Sequence, residues 1–278
     1  MLHDSALLRI ILNNSSTIDA LGRKATLCID SLAGHAPPAS ERAVSRMTRG
    51  LFLCGTDTDV GKTAVAESIL RELVRAGVAV GVCKPVASGV TADGGDPYRL
   101  WIAAGRPGTL SEVCPQSFAA AVAPARAAAA EGRCIDDALL VTAVEFWRAQ
   151  SGCVVVEGAG GLYSPLSPRM LNADLASQLG FPLVVCDDAR LGAIGRTLAV
   201  VTAAQSQGHQ VAAVVLSEVR DPGPATSDDP ESPAAIALSA VEDLAERLAP
   251  IPVALLKHGA ERIDPALDWM TLADCGSS

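Results

Sequence analysis

A phosphate-binding motif follows the first strongly apolar run of the chain. It reads Gly55-Thr-Asp-Thr-Asp-Val-Gly61-Lys62-Thr63, and a turn of this kind directs backbone N–H groups and a helix N-terminus at a phosphate. Gly61 allows close backbone approach, Lys62 reaches the outer phosphates, and the Thr63 hydroxyl suits Mg²⁺. Five residues separate the two glycines, one more than in the usual P-loop, so Thr56 stands where the first glycine is expected. The motif predicts phosphate binding but does not determine the reaction.

A second lysine and two acids stand near the ends of predicted strands. Ligands of an open parallel sheet gather beyond the carboxyl ends of its strands, so Lys84 is expected beside the same phosphates, where it would offset transferring charge. Asp96 begins a helical segment, and Glu157 opens a glycine-rich turn. With the Thr63 hydroxyl, these carboxylates form a sufficient oxygen set for Mg²⁺. Spacing alone leaves three alternatives open: a solvated Lys84, a helix cap at Asp96 and an exposed acid at Glu157.

Short apolar runs alternate with longer amphipathic stretches along the chain. The runs are β-branched or leucine-rich and bounded by Gly, Pro or polar residues, which predicts buried strands: Leu51–Cys54, Val78–Cys83, Gly152–Val156, Pro182–Cys186, Val211–Leu216 and Ile251–Leu256. The predicted helices are Lys62–Ala76, Ile135–Gln150, Asn172–Leu179, Ile194–Gln207 and Ala234–Leu248. This alternation predicts an α/β fold of the P-loop NTPase type: a single domain with a doubly wound, mainly parallel sheet flanked by helices.

Composition limits the partners of the chain. Hydrophobic residues make up 49% of the 278 residues but aromatic residues only 3%, which suits a buried sheet of Val, Leu, Ile and Ala. The formal charge of −9 disfavours nucleic acid and anionic membranes, and no apolar run approaches the roughly 20 residues of a membrane span. Eight cysteines without a Cys-x-x-Cys pair are interpreted as reduced, buried thiols, which predicts a cytoplasmic protein.

Residues 1–46 differ from the rest, since they mix polar residues with short apolar stretches and end in a turn-rich segment. Two hypotheses fit this pattern: translation begins at Met47, or residues 1–46 form a flexible N-terminal extension. In both, the P-loop domain spans residues 47–278.

These motifs together resemble the dethiobiotin synthetases, a family of the P-loop NTPase superfamily. Gly55–Thr63 resembles the phosphate loop of that family, including its extra residue, Lys84-Pro-Val-Ala-Ser-Gly89 resembles its second motif, and Val156-Glu-Gly-Ala-Gly-Gly161 its third. The resemblance runs from about Leu51 to Leu216. Three shorter segments also fall in the expected order: Pro165-Leu-Ser167, Ala173-Asp-Leu175 and Arg190-Leu-Gly192.

The resemblance implies a ligase of biotin biosynthesis that closes a cyclic urea on 7,8-diaminononanoate with CO₂ and ATP. One amine takes up CO₂ as a carbamate, the γ-phosphate of ATP activates it as a carbamic–phosphoric anhydride, and the second amine closes the ring. It further implies Mg²⁺ as cofactor, small-molecule substrates, and a homodimer that binds the substrate near the subunit interface.

The resemblance also implies a role for particular residues. Lys84 and Lys62 would be catalytic, and Thr63, Asp96 and Glu157 would hold the metal. The substrate would contact Ser88, Gly192, Ala193 and Ile194. The nucleotide would contact Thr58, Asp59, Val60, Gly61, Lys62, Thr63, Ala64, Asp96, Glu157, Gly158, Ala159, Gly160 and Ser217.

The chain departs from the family pattern at several positions. Asp59 stands where the family usually has Glu, Gly195-Arg196 where it has Asn-His, and Pro124-Ala125 where it often has Pro-His. The sixth strand ends in Ser217-Glu218 where the family has Asn-Asp, whose Asn reads the base, and no Gly-x-x-Pro turn stands around 255–259. The preference among ATP, CTP and GTP and the anchoring of the substrate carboxylate therefore stay open.

Two other functions stay open as well. One is another ATP-dependent ligase, which would activate a carboxylate as an acyl phosphate; the Lys84–Gly89 segment favours the diamine instead. The other is a nucleotide-driven switch such as a partitioning ATPase. Such proteins carry an extra lysine early in the phosphate loop, and this chain has none between Gly55 and Lys62.

Overall fold

Six parallel strands form the main sheet of the structure, a computed structural model that describes residues 49–223 and 229–274. The described ranges contain eight strands in all: β1 (Arg49–Gly55), β2 (Val80–Cys83), β3 (Val86–Ala87), β4 (Gln116–Ser117), β5 (Cys153–Gly161), β6 (Leu183–Asp188), β7 (Val211–Ser217) and β8 (Val253–Leu256). The order in the main sheet is β2-β5-β1-β6-β7-β8, and β3 and β4 form a separate parallel pair. The phosphate-loop strand β1 therefore lies inside the sheet, between β5 and β6.

Helices flank this sheet. Those in the described ranges are α1 (Lys62–Arg75), α2 (Gly95–Ala103), α3 (Leu110–Val113), α4 (Pro124–Ala130), α5 (Asp137–Arg148), α6 (Asn172–Leu179), α7 (Ala193–Ser206), α8 (Pro233–Leu248) and α9 (Trp269–Leu272). Helix α1 packs on the central strands, α5 on β2 and β5, α7 on β6 and β7, and α8 on β8. No helix in the described ranges is both long and apolar enough to cross a bilayer.

The predicted α/β fold with a parallel sheet flanked by helices is confirmed. Each of the six predicted strands and five predicted helices is present, with ends displaced by a few residues. One end differs in a way that matters: β5 does not stop at Val156 but continues to Gly161, because Gly161 pairs with Gly55 of β1. The predicted boundary at residue 46 lies outside the described residues.

The core is aliphatic, as the composition predicts. Residues 51–54 of β1 and 153–156 of β5 are buried along their whole length, and so is most of β6 and β7. Five cysteines of the described residues are buried: Cys54, Cys83, Cys114, Cys153 and Cys186. Cys134 is exposed and disulfide-bonded, so the interpretation of all eight cysteines as reduced, buried thiols is wrong at this position.

The carboxyl ends of the main strands share one edge of the sheet because all neighbouring strands are parallel. The residues at or close to these ends are Gly55, Lys84, Glu157, Asp187, Ser217 and Leu256, with Glu157 four residues before the last residue of β5. They come from six distant parts of the sequence, and the sheet brings them to one side of the molecule, where ligands of such folds bind.

Candidate active site

A cavity of about 700 Å³ lies over this edge of the sheet. Its walls come from the phosphate loop, the start of α1, the segment after β2, the end of β5 and the turns after β7 and β8. Thirteen of the predicted site residues line it: Thr58, Asp59, Gly61, Lys62, Thr63, Ala64, Lys84, Ser88, Asp96, Glu157, Ala159, Gly160 and Ser217.

The conformation of the phosphate loop depends on a glycine at position 61 and on hydrogen bonds within the loop. Gly61 has a φ of 89°, and a Cβ atom there would lie 2.5 Å from Oγ of Ser217, so a side chain is excluded on both conformational and steric grounds. Lys62 Nζ donates a hydrogen bond of 3.0 Å to the carbonyl oxygen of Asp57. The backbone N–H of Thr58 donates to Oδ1 of the same aspartate at 2.7 Å. The lysine therefore lies folded over its own loop, with its ammonium at the cavity.

A cluster of charged and polar side chains lies beside the loop. Lys84 Nζ donates to Oε1 of Glu157 at 2.5 Å and to Oδ2 of Asp96 at 2.8 Å. Thr63 Oγ1 donates to the same oxygen of Glu157 at 3.0 Å. Lys84 and Glu157 are buried, whereas the side chain of Asp96 is about half exposed at 46%. The exposed-lysine and exposed-acid alternatives for Lys84 and Glu157 are therefore wrong.

The two carboxylates keep the ammonium of Lys84 charged. Burial alone would lower the pKa of Lys84, but attraction by Glu157 and Asp96 and their hydrogen bonds outweigh it, and the pKa is raised. The pKa of Asp96 moves the other way: burial would raise it, but attraction and hydrogen bonding by Lys84 lower it. The cluster therefore offers a fixed cation between two acids at neutral pH.

The oxygen atoms of this cluster fit a hard cation. Oε2 of Glu157 is buried and has no hydrogen-bond partner, which leaves one carboxylate oxygen available next to the Thr63 hydroxyl. No set of three or more His, Cys, Asp or Glu side chains within the described ranges could hold a metal. A cation here would thus depend on water and phosphate oxygens for its other ligands, as Mg²⁺ commonly does.

The glycine-rich end of β5 runs directly beneath the phosphate loop. A Cβ atom on Gly161 would lie 3.2 Å from the carbonyl oxygen of Thr56, so the two segments pack backbone against backbone. Asn172, which is fully buried, holds the segment by donating from Nδ2 to the carbonyl oxygens of Ala159 at 2.6 Å and Gly161 at 2.8 Å. This arrangement fixes Glu157 at the start of the same segment.

Five predicted site residues do not line the cavity. Val60 is buried beneath the phosphate loop, and Gly158 packs against Asn172. Gly192, Ala193 and Ile194 stand after β6, where they begin α7, and the cavity does not include them. The structure therefore brings the nucleotide and metal candidates together and places the three candidates for substrate carboxylate binding elsewhere.

The cavity also contains residues that the sequence interpretation missed. Arg99 forms two hydrogen bonds to Glu67, of 2.9 and 3.1 Å, and ties α2, which carries Asp96, to α1, which carries Thr63. Helical spacing from Thr63 could have indicated Glu67. Two further missed residues are Arg71 on α1 and Ala87 on β3. The others lie at or just after the carboxyl ends of β7 and β8, the same signal that indicated Lys84: Glu218, Val219, Leu256, Lys257, His258, Gly259, Ala260 and Glu261.

Comparisons with known proteins agree with this geometry. The sequence profile of the family described as "AAA domain" matches residues 49–255. The protein named ATP-dependent dethiobiotin synthetase BioD of Anaeromyxobacter dehalogenans (strain 2CP-C) is 46% identical over 187 residues, which cover 66% of this chain and 81% of that relative. The protein of the same name from Rhodopirellula baltica is 39% identical over 186 residues, which cover 61% of this chain and 73% of the relative.

Among solved structures, chloroplast FtsY from Physcomitrella patens overlaps with a TM-score of 0.42 at 18% identity and covers 87% of this chain and 66% of that one. This overlap is too low to support an argument about function. The sequence matches are different in kind, since the profile covers most of the chain and the relatives are matched over more than two thirds of their length. The chain therefore belongs to the ATP-dependent dethiobiotin synthetase family, within the family of AAA domains.

Proposed function

We propose that this chain is a dethiobiotin synthase, which uses ATP and CO₂ to close the cyclic urea of dethiobiotin on 7,8-diaminononanoate in biotin biosynthesis. The observation that carries the proposal is the cluster of Lys84, Glu157 and Thr63 beside the phosphate loop in one cavity. Family membership supports it, because the relatives that match over most of their length carry this name.

The residues divide the work between binding and charge stabilisation. The loop from Thr58 to Ala64 binds the triphosphate through backbone N–H groups and the Lys62 ammonium. Thr63, Asp96 and Glu157 would hold Mg²⁺, and the ion would supply neutralisation of phosphate charge. Gly158, Ala159 and Gly160 form the floor beneath the loop, and Ser217 lies under Gly61. Both lysines thus face the phosphates that react.

Lys84 acts where the γ-phosphoryl group is transferred from ATP to the carbamate. A carbamate oxygen, formed when one amine adds to CO₂ and loses a proton, attacks the γ-phosphorus while ADP leaves. The second amine then attacks the carbamate carbon and loses a proton while inorganic phosphate leaves, which completes the ring. Lys84 Nζ orients the carbamate and stabilises the transferring phosphoryl group, and Ser88 contacts the substrate. Such steps need positioned charge more than an unusual nucleophile.

The substrate carboxylate binds at a second place in this proposal. Gly192, Ala193 and Ile194 begin α7, and the free N–H groups of a helix start suit a carboxylate. The resemblance implies a homodimer with the substrate near the subunit interface. In this proposal the carboxylate is bound by the partner of the subunit that supplies the phosphate loop, which agrees with the position of these residues outside the cavity. The protein works in the cytoplasm.

The deciding experiment measures phosphate release with ATP, Mg²⁺ and bicarbonate, with and without 7,8-diaminononanoate, and detects the cyclic urea by mass spectrometry. We expect release that depends on the diamine, together with urea. CTP and GTP run alongside establish the base preference. Failure with every nucleotide, in protein that still binds one, contradicts the proposal and favours another ligase or a switch; a switch hydrolyses slowly without the diamine.

The domain division also remains a proposal: residues 47–278 form the catalytic domain, and residues 1–46 are an extension or an untranslated leader. The intact mass of the protein made from its native gene separates the two. A full-length species excludes a start at Met47.

A further inference from the structure

Asp187 is a fully buried carboxylate at the end of β6, next to the phosphate-loop strand β1. Oδ1 accepts hydrogen bonds from the Thr56 hydroxyl at 2.5 Å, the backbone N–H of Asp188 at 2.8 Å and Nε of Arg196 at 3.2 Å. Oδ2 accepts from Nε of Arg196 at 3.1 Å and from the Thr197 hydroxyl at 3.3 Å. A buried carboxylate is costly unless it is paired and hydrogen-bonded in this way. Asp187 therefore links the phosphate loop, through Thr56, to α7, through Arg196 and Thr197.

Thr56 is the residue that stands in place of the first glycine of the phosphate loop. Besides its hydroxyl bond to Asp187, its backbone N–H donates to the carbonyl oxygen of Cys186 at 2.9 Å. The first turn of the loop is therefore fastened to β6 by both main chain and side chain. The threonine hydroxyl gives the loop a contact that a glycine could not make.

The same arginine also holds the turn that precedes α7. Arg196 Nη2 donates to the carbonyl oxygen of Asp188 at 3.2 Å, and Nη1 to that of Leu191 at 3.4 Å. One guanidinium thus contacts the acid that holds the phosphate loop and the turn that leads into Gly192–Ile194. Arg196 is also one of the two positions where the chain carries Gly-Arg instead of the expected Asn-His.

We propose that Asp187 and Arg196 are positioning residues, which act through the Thr56 hydroxyl to hold the phosphate loop and, through Arg196, fix the carboxylate-binding turn in the same unit. Neither residue touches the reacting atoms. The part that concerns the turn rests on the proposed function, whereas the part that concerns the loop depends only on nucleotide binding.

The test for the loop is the Kd of ATP in the presence of Mg²⁺, measured by calorimetry without the diamine. Thr56→Val removes the hydroxyl at equal size and leaves the Asp187–Arg196 pair intact, and we expect the Kd to rise roughly tenfold. Thr56→Ser keeps a hydroxyl and is expected to stay within about twofold of wild type. Equal Kd values for wild type and Thr56→Val, or for Thr56→Val and Thr56→Ser, overturn the proposal.

The test for the pair uses Arg196→Gln with Arg247→Gln as control, since Arg247 carries the same charge but is exposed on α8, outside the carboxylate-binding turn. Arg196→Gln is expected to raise both the ATP Kd and the KM for the diamine, with a smaller change in kcat. Thr56→Val raises only the ATP Kd, and Arg247→Gln changes neither.

The double variant Thr56→Val/Arg196→Gln should bind ATP no more weakly than the weaker single variant, because both substitutions disrupt one unit. If the Kd of the double variant rises by the product of the two single-variant factors, the two residues act independently and the proposal is overturned. If Arg196→Gln fails to fold, the pair Thr56→Val and Thr56→Ser still decides the matter. If no diamine is turned over, the proposed function fails, and the ATP Kd values still decide whether the loop is held in this way.

Discussion

Lys84 is enclosed by two carboxylates, and this enclosure determines the effect of replacing it. Lys84→Met keeps the length of the side chain but removes the cation that faces the transferring phosphoryl group. We expect kcat to fall roughly 100- to 1,000-fold, with a smaller change in the KM for ATP because Lys62 and the loop remain. Steady-state phosphate release with the diamine present measures both constants.

Lys84→Arg is the matched control, since it keeps the charge but changes its geometry, and it should retain more activity than Lys84→Met. Circular dichroism establishes that both variants are folded. Turnover near the wild-type value in folded Lys84→Met would exclude the lysine from the mechanism.

The carboxylate of Asp96 makes the stability of the fold depend on pH. Its pKa in the folded chain lies below the ordinary 3.8, so the folded protein binds this proton more weakly than the unfolded chain does. The carboxylate therefore stabilises the fold above its unfolded pKa, and that contribution is lost as pH falls through the lower folded pKa.

We expect Asp96→Asn to reduce the loss of unfolding free energy on acidification, by at most about 1 kcal/mol because the side chain is half exposed. Urea titrations between about pH 3 and pH 6 measure the difference. Asp243→Asn on α8 controls for the loss of a surface carboxylate. Identical acid profiles for Asp96→Asn and wild type would contradict the prediction.

At the scale of elements, the junction of β1 and α1 depends on Gly61. Gly61 and Gly77 both have positive φ angles, but a Cβ atom at Gly61 meets Ser217 whereas one at Gly77 meets nothing within 4 Å. We expect Gly77→Ala to cost about 1 kcal/mol in unfolding free energy from backbone strain alone and to leave the ATP Kd unchanged. We expect Gly61→Ala to lower the unfolding free energy further and to raise the ATP Kd at least about tenfold.

The double variant Gly61→Ala/Ser217→Gly should recover part of the affinity, because it removes the atoms that the new methyl group meets. Urea unfolding and calorimetry measure the two quantities. Equal losses in Gly61→Ala and Gly77→Ala would show that contact with Ser217 has no effect.

Local patterns predict the elements but not the contacts between them. The period of the apolar residues suffices to predict six strands, five helices and the parallel sheet. The predicted strand ends indicate Lys84 and Glu157 as site residues. Strands β3 and β4 have two residues each, too few to show a period. The bond between Thr56 and Asp187 joins residues 131 positions apart, and nothing local in the sequence indicates such a pair. The extension of β5 likewise depends on its partner strand.

At the scale of the whole molecule, the proposed homodimer predicts an effect at Leu191. This side chain is 80% exposed in the single chain, beside the turn that would meet the partner. We expect wild type to sediment at twice the mass of the chain and Leu191→Asp to shift the equilibrium toward the monomer, because the charge is costly to bury at an interface.

Leu238→Asp is the control, since Leu238 is also exposed, at 52%, but lies on α8. It should leave the dimer intact. A monomeric wild type, or equal dissociation of both variants, would contradict the proposed assembly. Analytical ultracentrifugation over a range of concentrations gives the answer.

The buried thiols allow opening of the sheet to be measured. Cys54, Cys83, Cys153 and Cys186 lie on the four strands β1, β2, β5 and β6 and are completely buried, and burial raises the pKa of Cys54 to about 12. An alkylating reagent therefore reacts with them only in molecules whose sheet has opened. A ligand that binds only the closed form slows this reaction by the factor 1 + [L]/Kd. The rate of thiol labelling at rising nucleotide concentration thus converts directly into an affinity, without turnover, and ranks ATP, CTP and GTP on one scale.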